Sequence, residues 1–108
     1  MPSGIRTDQY VQVAPDLRLH YASCGDPGRP LMLFLHGFPE FWWTWRHQLA
    51  VLPGAGFRAV AVDLRGYGDS DKPPRGYDLW TLAGDVAGLI RALGEPGGIS
   101  PPILAARQ

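Results

Sequence analysis

The sequence of 108 residues predicts an α/β domain with a mostly parallel sheet, an antiparallel start and two helices. Three observations predict this class. The run Leu31–Leu35 is apolar at every position, which is typical of a strand buried on both faces. From Trp42 the apolar residues recur at helical spacing. A second buried run follows at Phe57–Val62, so strands and helices alternate along the chain, as they do in a parallel sheet covered by helices.

Two short strands are expected before the first buried run. Val11–Val13 alternates apolar and polar residues, and Leu17–Ala22 does so strictly, which predicts strands with one face toward water. The turn between them, at Pro15 and Asp16, is short enough for an antiparallel hairpin. The sheet is therefore expected to begin antiparallel.

Two helices follow from apolar residues three, four or seven positions apart. The first stripe ends at Pro53 and Gly54, and its members are Trp42, Trp45, Leu49 and Leu52. Asp78 can cap the second helix, and Gly94 suits the position just past its end. The second stripe consists of Leu79, Leu82, Val86, Leu89 or Ile90, and Leu93. Residues 63–77 lie between the buried run Phe57–Val62 and the second helix. They are rich in Gly, Pro and Asp and are predicted to form a long loop.

The end of the chain departs from this rhythm. Another buried strand is expected after the second helix, but Pro101 and Pro102 stand where its middle would be. Two prolines cannot serve the hydrogen-bond ladder of a central strand. We therefore expect residues 1–95 to form one part of a domain and residues 96–108 to be a divergent, frayed tail rich in Pro and Gly.

Composition excludes several classes of protein. Ten basic and ten acidic residues give a net charge of zero, so a nucleic-acid partner is not expected. The single cysteine, Cys24, excludes an internal disulfide and a cysteine-based zinc cluster. The longest strongly apolar run, Leu31–Leu35, is far shorter than the ~20 residues that span a bilayer, and Met1–Tyr10 has no apolar signal core. We expect a cytoplasmic protein that holds no metal and no cofactor.

Two junctions follow buried strands and are candidates for chemistry. The first begins His36-Gly37-Phe38-Pro39, and the second runs from Asp63 to Pro73. Ligands bind an open α/β sheet at the carboxyl ends of its strands, which both junctions leave. Gly37 permits a sharp turn after which the Phe38 N–H can face a ligand. A plain tight turn and a charged, solvated loop explain the same patterns, so residue type alone leaves both interpretations open.

Several charged residues are expected to have structural roles. Arg65, Asp69 and Asp71 are expected to form ion pairs that fix the loop and not to act as catalysts. His20, on an alternating strand, and His47, on a helix, are expected to be surface or structural residues.

Taken together, the two junctions resemble the paired signatures of the epoxide hydrolases of the α/β-hydrolase superfamily. The first signature matches residues 36–49 and the second matches residues 63–73. Haloalkane dehalogenases usually carry Asn where Phe38 stands, and fluoroacetate-type dehalogenases usually lack Glu40 and the paired tryptophans. A dehalogenase-like chain is therefore the alternative within the superfamily.

The resemblance implies a partial α/β-hydrolase fold and a small-molecule epoxide as substrate. In the family an aspartate opens the epoxide to an ester, and a water activated by a histidine then hydrolyses the ester to a diol. The resemblance implies that the Phe38 N–H is an oxyanion-hole donor, and that His36 holds its loop by hydrogen bonding. The candidate substrate-binding residues are His36, Gly37, Phe38, Pro39 and Trp42, although the helical period of Trp42 favours a core position.

The chain departs from the family after Gly94, where the nucleophile motif Gly-His-Asp-Trp-Gly is expected and Gly98-Ile99-Ser100-Pro101-Pro102-Ile103 is found. We expect the 108 residues alone to be a truncated, inactive part of an epoxide hydrolase; an altered product and a non-catalytic module that binds a partner stay open. The resemblance also implies a sheet in the order first, second, fourth and third strand, which ends at the third strand, Leu31–Leu35. An exposed apolar edge recruits other strands, so self-association is expected.

Overall fold

The computed structural model describes residues 4–36, 41–93 and 103–105. Its strands are β1 (Arg6–Ala14), β2 (Leu17–Cys24), β3 (Leu31–Leu35), β4 (Arg58–Val62) and β5 (Ile103–Ala105). Its α-helices are α1 (Arg46–Val51), which lies between two 3₁₀ turns at Trp42–Trp45 and Leu52–Ala55, and α2 (Leu79–Ala92). In the described ranges, no helix is long and apolar enough to cross a membrane.

The five strands form one mixed sheet in the order β1-β2-β4-β3-β5. β1 and β2 form the expected antiparallel hairpin, and β2 also pairs antiparallel with β4. β4 and β3 are parallel, with Leu35 beside Val62 at their carboxyl ends. The α/β class, the antiparallel start and the order of the first four strands are confirmed.

The prediction that the sheet ends at β3 is wrong. β5 runs parallel to β3, with Leu33 beside Ile103 and Leu35 beside Ala105. The expectation of a frayed end is corrected for these three residues, because both prolines precede the strand and neither occupies a position within it. The rest of the predicted tail, 96–102 and 106–108, lies outside the described residues.

The first predicted helix is divided into a 3₁₀ turn and a short α-helix. In a 3₁₀ turn the side chains at i and i+3 lie on the same side. Trp42 is buried and Trp45 packs against Phe34, with the ring centroids 4.8 Å apart, so both tryptophans contribute to one apolar cluster. The tighter turn therefore places two large rings on the sheet before α1 begins at Arg46.

Side chains pack on both faces of the sheet. Every residue of β4 is buried, and successive residues alternate between two apolar clusters. One cluster is capped by α2 through Leu89 and consists of Leu17, Leu19, Tyr21, Leu31, Leu33, Val60, Val62 and Leu89. The other is capped by α1 and its preceding turn, and consists of Ala22, Phe34, Trp42, Leu49, Ala59 and Ala61. The predicted burial of β3 and β4 between helices is confirmed.

Asp78 caps α2 as the sequence predicts. Its carboxylate accepts hydrogen bonds from the Thr81 N–H at 3.0 Å and the Thr81 hydroxyl at 2.8 Å. The side-chain hydrogen bond with Thr81, followed by the backbone one, lowers the pKa of Asp78. The cap sets the start of the helix that carries Leu89 into the core.

Replacing Asp78 tests this cap. Asp78→Ala leaves the first N–H groups of α2 without a side-chain acceptor, so we expect the melting temperature to fall by a few degrees at neutral pH. The folded-state pKa is lowered, so the stabilisation is present above the unfolded-state value and is lost as the pH falls through the folded value. The difference in melting temperature between the wild-type and Asp78→Ala chains should therefore shrink in acid, as thermal melts at several pH values will show.

The control is Asp78→Asn, which keeps an acceptor oxygen without the charge and should melt near the wild type at neutral pH. A difference that is constant down to the most acidic pH would contradict the account.

Candidate functional site

The two candidate junctions meet at one edge of the sheet. Because Leu35 and Val62 are neighbours in parallel strands, the residues that follow them, His36 and Asp63, leave the same carboxyl edge. The predicted juxtaposition of the two junctions is thus observed in the parts that the structure describes. Gly37, Phe38 and Pro39, three of the predicted site residues, lie outside the described residues, and their roles stay predictions.

His36 binds the second junction. It is almost fully buried, and its Nε2 accepts a hydrogen bond from the Leu64 N–H at 3.0 Å. Its ring also meets Tyr67 edge-on, with the ring centroids 4.9 Å apart. An Nε2 lone pair that receives a backbone N–H cannot take a proton from water at the same time. This geometry agrees with a histidine that holds a loop and does not act as the general base.

Asp63 is the most highly connected side chain at this edge. It has no exposed surface, and its Oδ1 accepts the Trp42 N–H at 2.7 Å. Its Oδ2 accepts the Asp69 N–H at 3.1 Å and lies 2.8 Å from the Nδ1 of His20. One carboxylate therefore joins strand β2, the end of β4, the loop after β4 and the start of the turn at Trp42. With both oxygens engaged and no surface, Asp63 is unsuited to attack a substrate.

A glycine allows the loop to approach this carboxylate. Gly68 has φ of +51°, and a Cβ at that position would collide with the carboxyl group of Asp63. The glycine therefore serves two purposes, a left-handed backbone conformation and a close approach. The second junction needs this residue type to close around Asp63.

The second junction also continues the pairing of β2 beyond the end of β4. The Asp63 N–H donates to the His20 carbonyl at 2.8 Å, and the His20 N–H donates to the Ser70 hydroxyl at 2.8 Å. The Ser70 hydroxyl in turn donates to the Asp63 carbonyl at 2.5 Å. Arg18 and Asp71 exchange two more bonds, from the Arg18 N–H to the Asp71 carboxylate at 2.8 Å and from the Asp71 N–H to the Arg18 carbonyl at 3.0 Å.

This covering loop corrects the prediction that Leu17–Ala22 has one face toward water. Only Arg18 is exposed in that stretch, and His20 is buried. The alternation of apolar and polar residues is real, but the polar face meets the polar groups of the second junction. Sequence reasoning treated His20 as a surface or structural residue and missed its pairing with Asp63. Alternation alone gives no sign of which loop covers a polar face.

Arg65 fixes the second junction to α2, as predicted. Its Nε and Nη2 contact the two carboxylate oxygens of Asp85 at 2.8 and 2.9 Å, and its Nη1 donates to the Arg75 carbonyl at 3.0 Å. The side-chain hydrogen bond with Asp85 raises the pKa of Arg65, so the guanidinium stays charged. Asp71 fixes the loop through a backbone N–H and not through the ion pair that its charge suggests.

Trp42 lies in the core position that its helical period favours. It is buried in the cluster beneath α1, and its ring meets the ring of Trp43 edge-on, with the centroids 5.5 Å apart. Its N–H donates to Asp63, which fixes the point where the chain enters the 3₁₀ turn after the first junction. A contact between Trp42 and substrate stays a prediction.

Comparisons with known proteins identify the family. Residues 30–102 match the family model described as the alpha/beta hydrolase fold. The chain belongs to the α/β-hydrolase family. The membership in the α/β-hydrolase superfamily that the paired junctions imply is thereby confirmed.

The similar proteins are named as epoxide hydrolases. The chain is 48% identical over 94 residues to epoxide hydrolase 4 from Mus musculus, covering 84% of this chain and 26% of that protein. It is 50% identical over 80 residues to epoxide hydrolase 1 from Siraitia grosvenorii, covering 72% of this chain and 25% of that protein. The hydrolase chain thus spans about a quarter of the length of these curated relatives.

Solved structures agree. A crystal structure of an epoxide hydrolase from Vigna radiata matches with a TM-score of 0.81 at 39% identity, over 97% of this chain and 32% of that one. An epoxide hydrolase from an endophytic Streptomyces matches with a TM-score of 0.83 at 38% identity, over 95% of this chain and 30% of that one. The hydrolase chain is therefore epoxide-hydrolase-like in both sequence and fold.

Removal of the Asp63 carboxylate tests its central place. Asp63→Ala leaves two backbone N–H groups and the His20 ring without their acceptor inside the protein, so we expect the free energy of unfolding to fall by about 3–5 kcal/mol. Asp8→Ala, on an exposed position of β1, is the matched control and should change stability little. Urea unfolding followed by near-ultraviolet circular dichroism measures both. Equal midpoints for the two variants would refute the assigned role.

Proposed function

We propose that this chain supplies the amino-terminal part of the catalytic domain of an epoxide hydrolase that converts small-molecule epoxides to diols. The names of the similar proteins support the epoxide branch over a dehalogenase. The observation that carries the proposal is the fixation of the first junction at both of its ends. His36 accepts the Leu64 N–H at the start, and Asp63 accepts the Trp42 N–H at the finish.

This fixation suits a loop that must present a backbone N–H to a developing charge. Stabilisation of an oxyanion depends on donors that are already in position when the charge forms. In the proposed reaction an aspartate carboxylate attacks an epoxide carbon, the carbon–oxygen bond breaks, and the oxygen takes a proton. Water activated by a histidine then attacks the ester carbonyl, and the carbonyl oxygen becomes an oxyanion. We assign the Phe38 N–H as one donor to that oxygen, with His36, Gly37, Pro39 and Trp42 around it.

The nucleophile belongs to a part of the enzyme that the 108 residues do not contain, since no Gly-His-Asp-Trp-Gly motif occurs in them. Removing one member of a nucleophile–histidine–acid set leaves only the small catalysis due to binding and oxyanion donors. A polypeptide of these 108 residues alone is therefore proposed to have no turnover, and the active enzyme is proposed to be cytoplasmic.

Two apolar clefts beside β3 support a larger domain around this part. One, of about 360 Å³, is lined by Met32, Phe34, His47, Gln48, Val51 and Leu52. The other, of about 320 Å³ on the opposite face, is lined by Leu35, Leu64, Leu79, Leu82, Ala83 and Val86. Val51 and Leu79 are exposed at their rims. Such surfaces are unfavourable in water, so we propose that the remainder of the hydrolase covers them and that the 108 residues alone self-associate.

A chimaeric enzyme tests the proposed function. We would replace the segment of the Vigna radiata epoxide hydrolase that matches residues 1–95 with residues 1–95 of this chain. The chimaera keeps the host enzyme's own nucleophile motif, and we would measure diol formation from styrene oxide. The chimaera should form diol, and the 108-residue polypeptide should give only the buffer rate. His36→Ala in the chimaera should lower kcat at least about tenfold, because the loop loses one of its anchors.

The control is Asp16→Ala, since Asp16 is exposed in the turn between β1 and β2 and lines neither of the two clefts. This control should leave kcat near the parental chimaera. A chimaera that is folded by circular dichroism yet forms no diol would contradict the proposal. So would diol formation by the 108-residue polypeptide.

A further inference from the structure

The ring of His20 lies between two groups that accept hydrogen bonds. Its Nε2 is 2.5 Å from the carbonyl oxygen of Thr7, and its Nδ1 is 2.8 Å from Oδ2 of Asp63. A carbonyl oxygen has no proton to give, so Nε2 must donate. A neutral imidazole has only one N–H and would have to present a bare lone pair to the other acceptor. The geometry therefore requires a second proton within the His20–Asp63 pair.

That second proton belongs either to His20 or to Asp63, and the surroundings of Asp63 decide between them. Both carboxylate oxygens accept backbone N–H groups, Oδ1 from Trp42 and Oδ2 from Asp69. Such donors favour the ionised carboxylate over the neutral acid. An ionised carboxylate beside Nδ1 accepts from it. We propose that His20 carries protons on both ring nitrogens in the folded chain, and that this buried cation holds Asp63 in position beneath the first junction.

The other groups around the ring favour a cation. The ring centroid of Tyr10 lies 5.0 Å from that of His20, within the range at which an aromatic ring attracts a positive charge. The guanidinium of Arg18, the nearby like charge, lies over the Tyr10 ring at 4.4 Å from its centroid. The Asp71 carboxylate is directed to the Arg18 N–H. Asp63 is therefore the anion that faces the ring at hydrogen-bond distance.

The strand register explains how a backbone carbonyl comes to bind the ring. The pairing of β1 with β2 is irregular between Arg6 and Gln9, and Thr7 lies within that irregularity. The carbonyl of Thr7 thereby reaches Nε2 from the neighbouring strand. Three segments are joined through one ring: β1 through Thr7, β2 through His20 itself, and the end of β4 through Asp63.

The consequence is a positioning role. Among the described residues, His20 acts on the first junction through Asp63, whose carboxylate accepts the Trp42 N–H at the end of that junction. The cation also compensates the charge of the Asp63 carboxylate, which has no exposed surface. Burial of that charge without a partner would be strongly unfavourable. This inference concerns the 108-residue chain itself and does not depend on the proposed function.

Nitrogen NMR measures the two ring protons directly. We would label the 108-residue chain with ¹⁵N and record the imidazole shifts at about pH 7.5, one unit above the ordinary histidine pKa of about 6.5. Solid-state spectra of the sedimented chain give the same shifts if the chain self-associates. Both nitrogens of His20 should show protonated shifts, and the reference is free histidine at the same pH, whose ring is mainly neutral. An unprotonated shift at either nitrogen of His20 would overturn the proposal, and one at Nδ1 alone would place the proton on Asp63.

A variant tests the positioning role. His20→Gln removes the ring that holds Asp63 in position. The hydrogen bonds from the Trp42 and Asp69 N–H groups to Asp63 should therefore lengthen, and both amide protons should move upfield. The matched control His47→Gln should leave them unchanged. Unchanged Trp42 and Asp69 amide protons in a folded His20→Gln chain would refute the role, and the nitrogen shifts of the unsubstituted chain test the charge whether or not the variant folds.

Discussion

The buried carboxylate of Asp63 is the constraint on which the carboxyl edge of this sheet depends. It has no exposed surface, and it is compensated by two backbone N–H groups and the ring of His20. Removing any of these partners leaves a polar group unsatisfied away from water. Four segments must therefore form together: the end of β4, the loop after it, strand β2 and the turn at Trp42. Each of them provides a hydrogen-bond donor or acceptor that another needs.

The sheet positions this carboxylate with little freedom. β4 is buried along its whole length between α1 and α2, so its last residue, Val62, is held from both faces. Asp63 follows directly and donates its own N–H to the carbonyl of His20. The parallel pairing of β3 with β4 brings His36 to the same edge. Packing in the core thus fixes the place at which hydrogen bonding then orders the junctions.

Much of this arrangement follows from residue patterns. Leu31–Leu35 was predicted with the bounds that β3 has, because five apolar residues between turn signals leave little choice. The cap at Asp78 and the ion pair of Arg65 were also predictable from local chemistry. β5 could not be predicted. Ile103–Ala105 forms a strand because it pairs with the edge of β3, and the two prolines before it do not prevent this pairing. The pairing of His20 with Asp63 joins residues 43 positions apart, and no local pattern carries that information.

Amide hydrogen exchange tests the central claim, that hydrogen bonds to the second junction fix the first junction at both of its ends. The two N–H groups concerned are those of Leu64 and Trp42, bound by His36 and Asp63 respectively. The account predicts that both exchange as slowly as the buried amides of β4, such as that of Val60, because they open only when the sheet opens. Exchange of the Trp42 and Leu64 amides as fast as in an exposed turn, while Val60 stays protected, would contradict it.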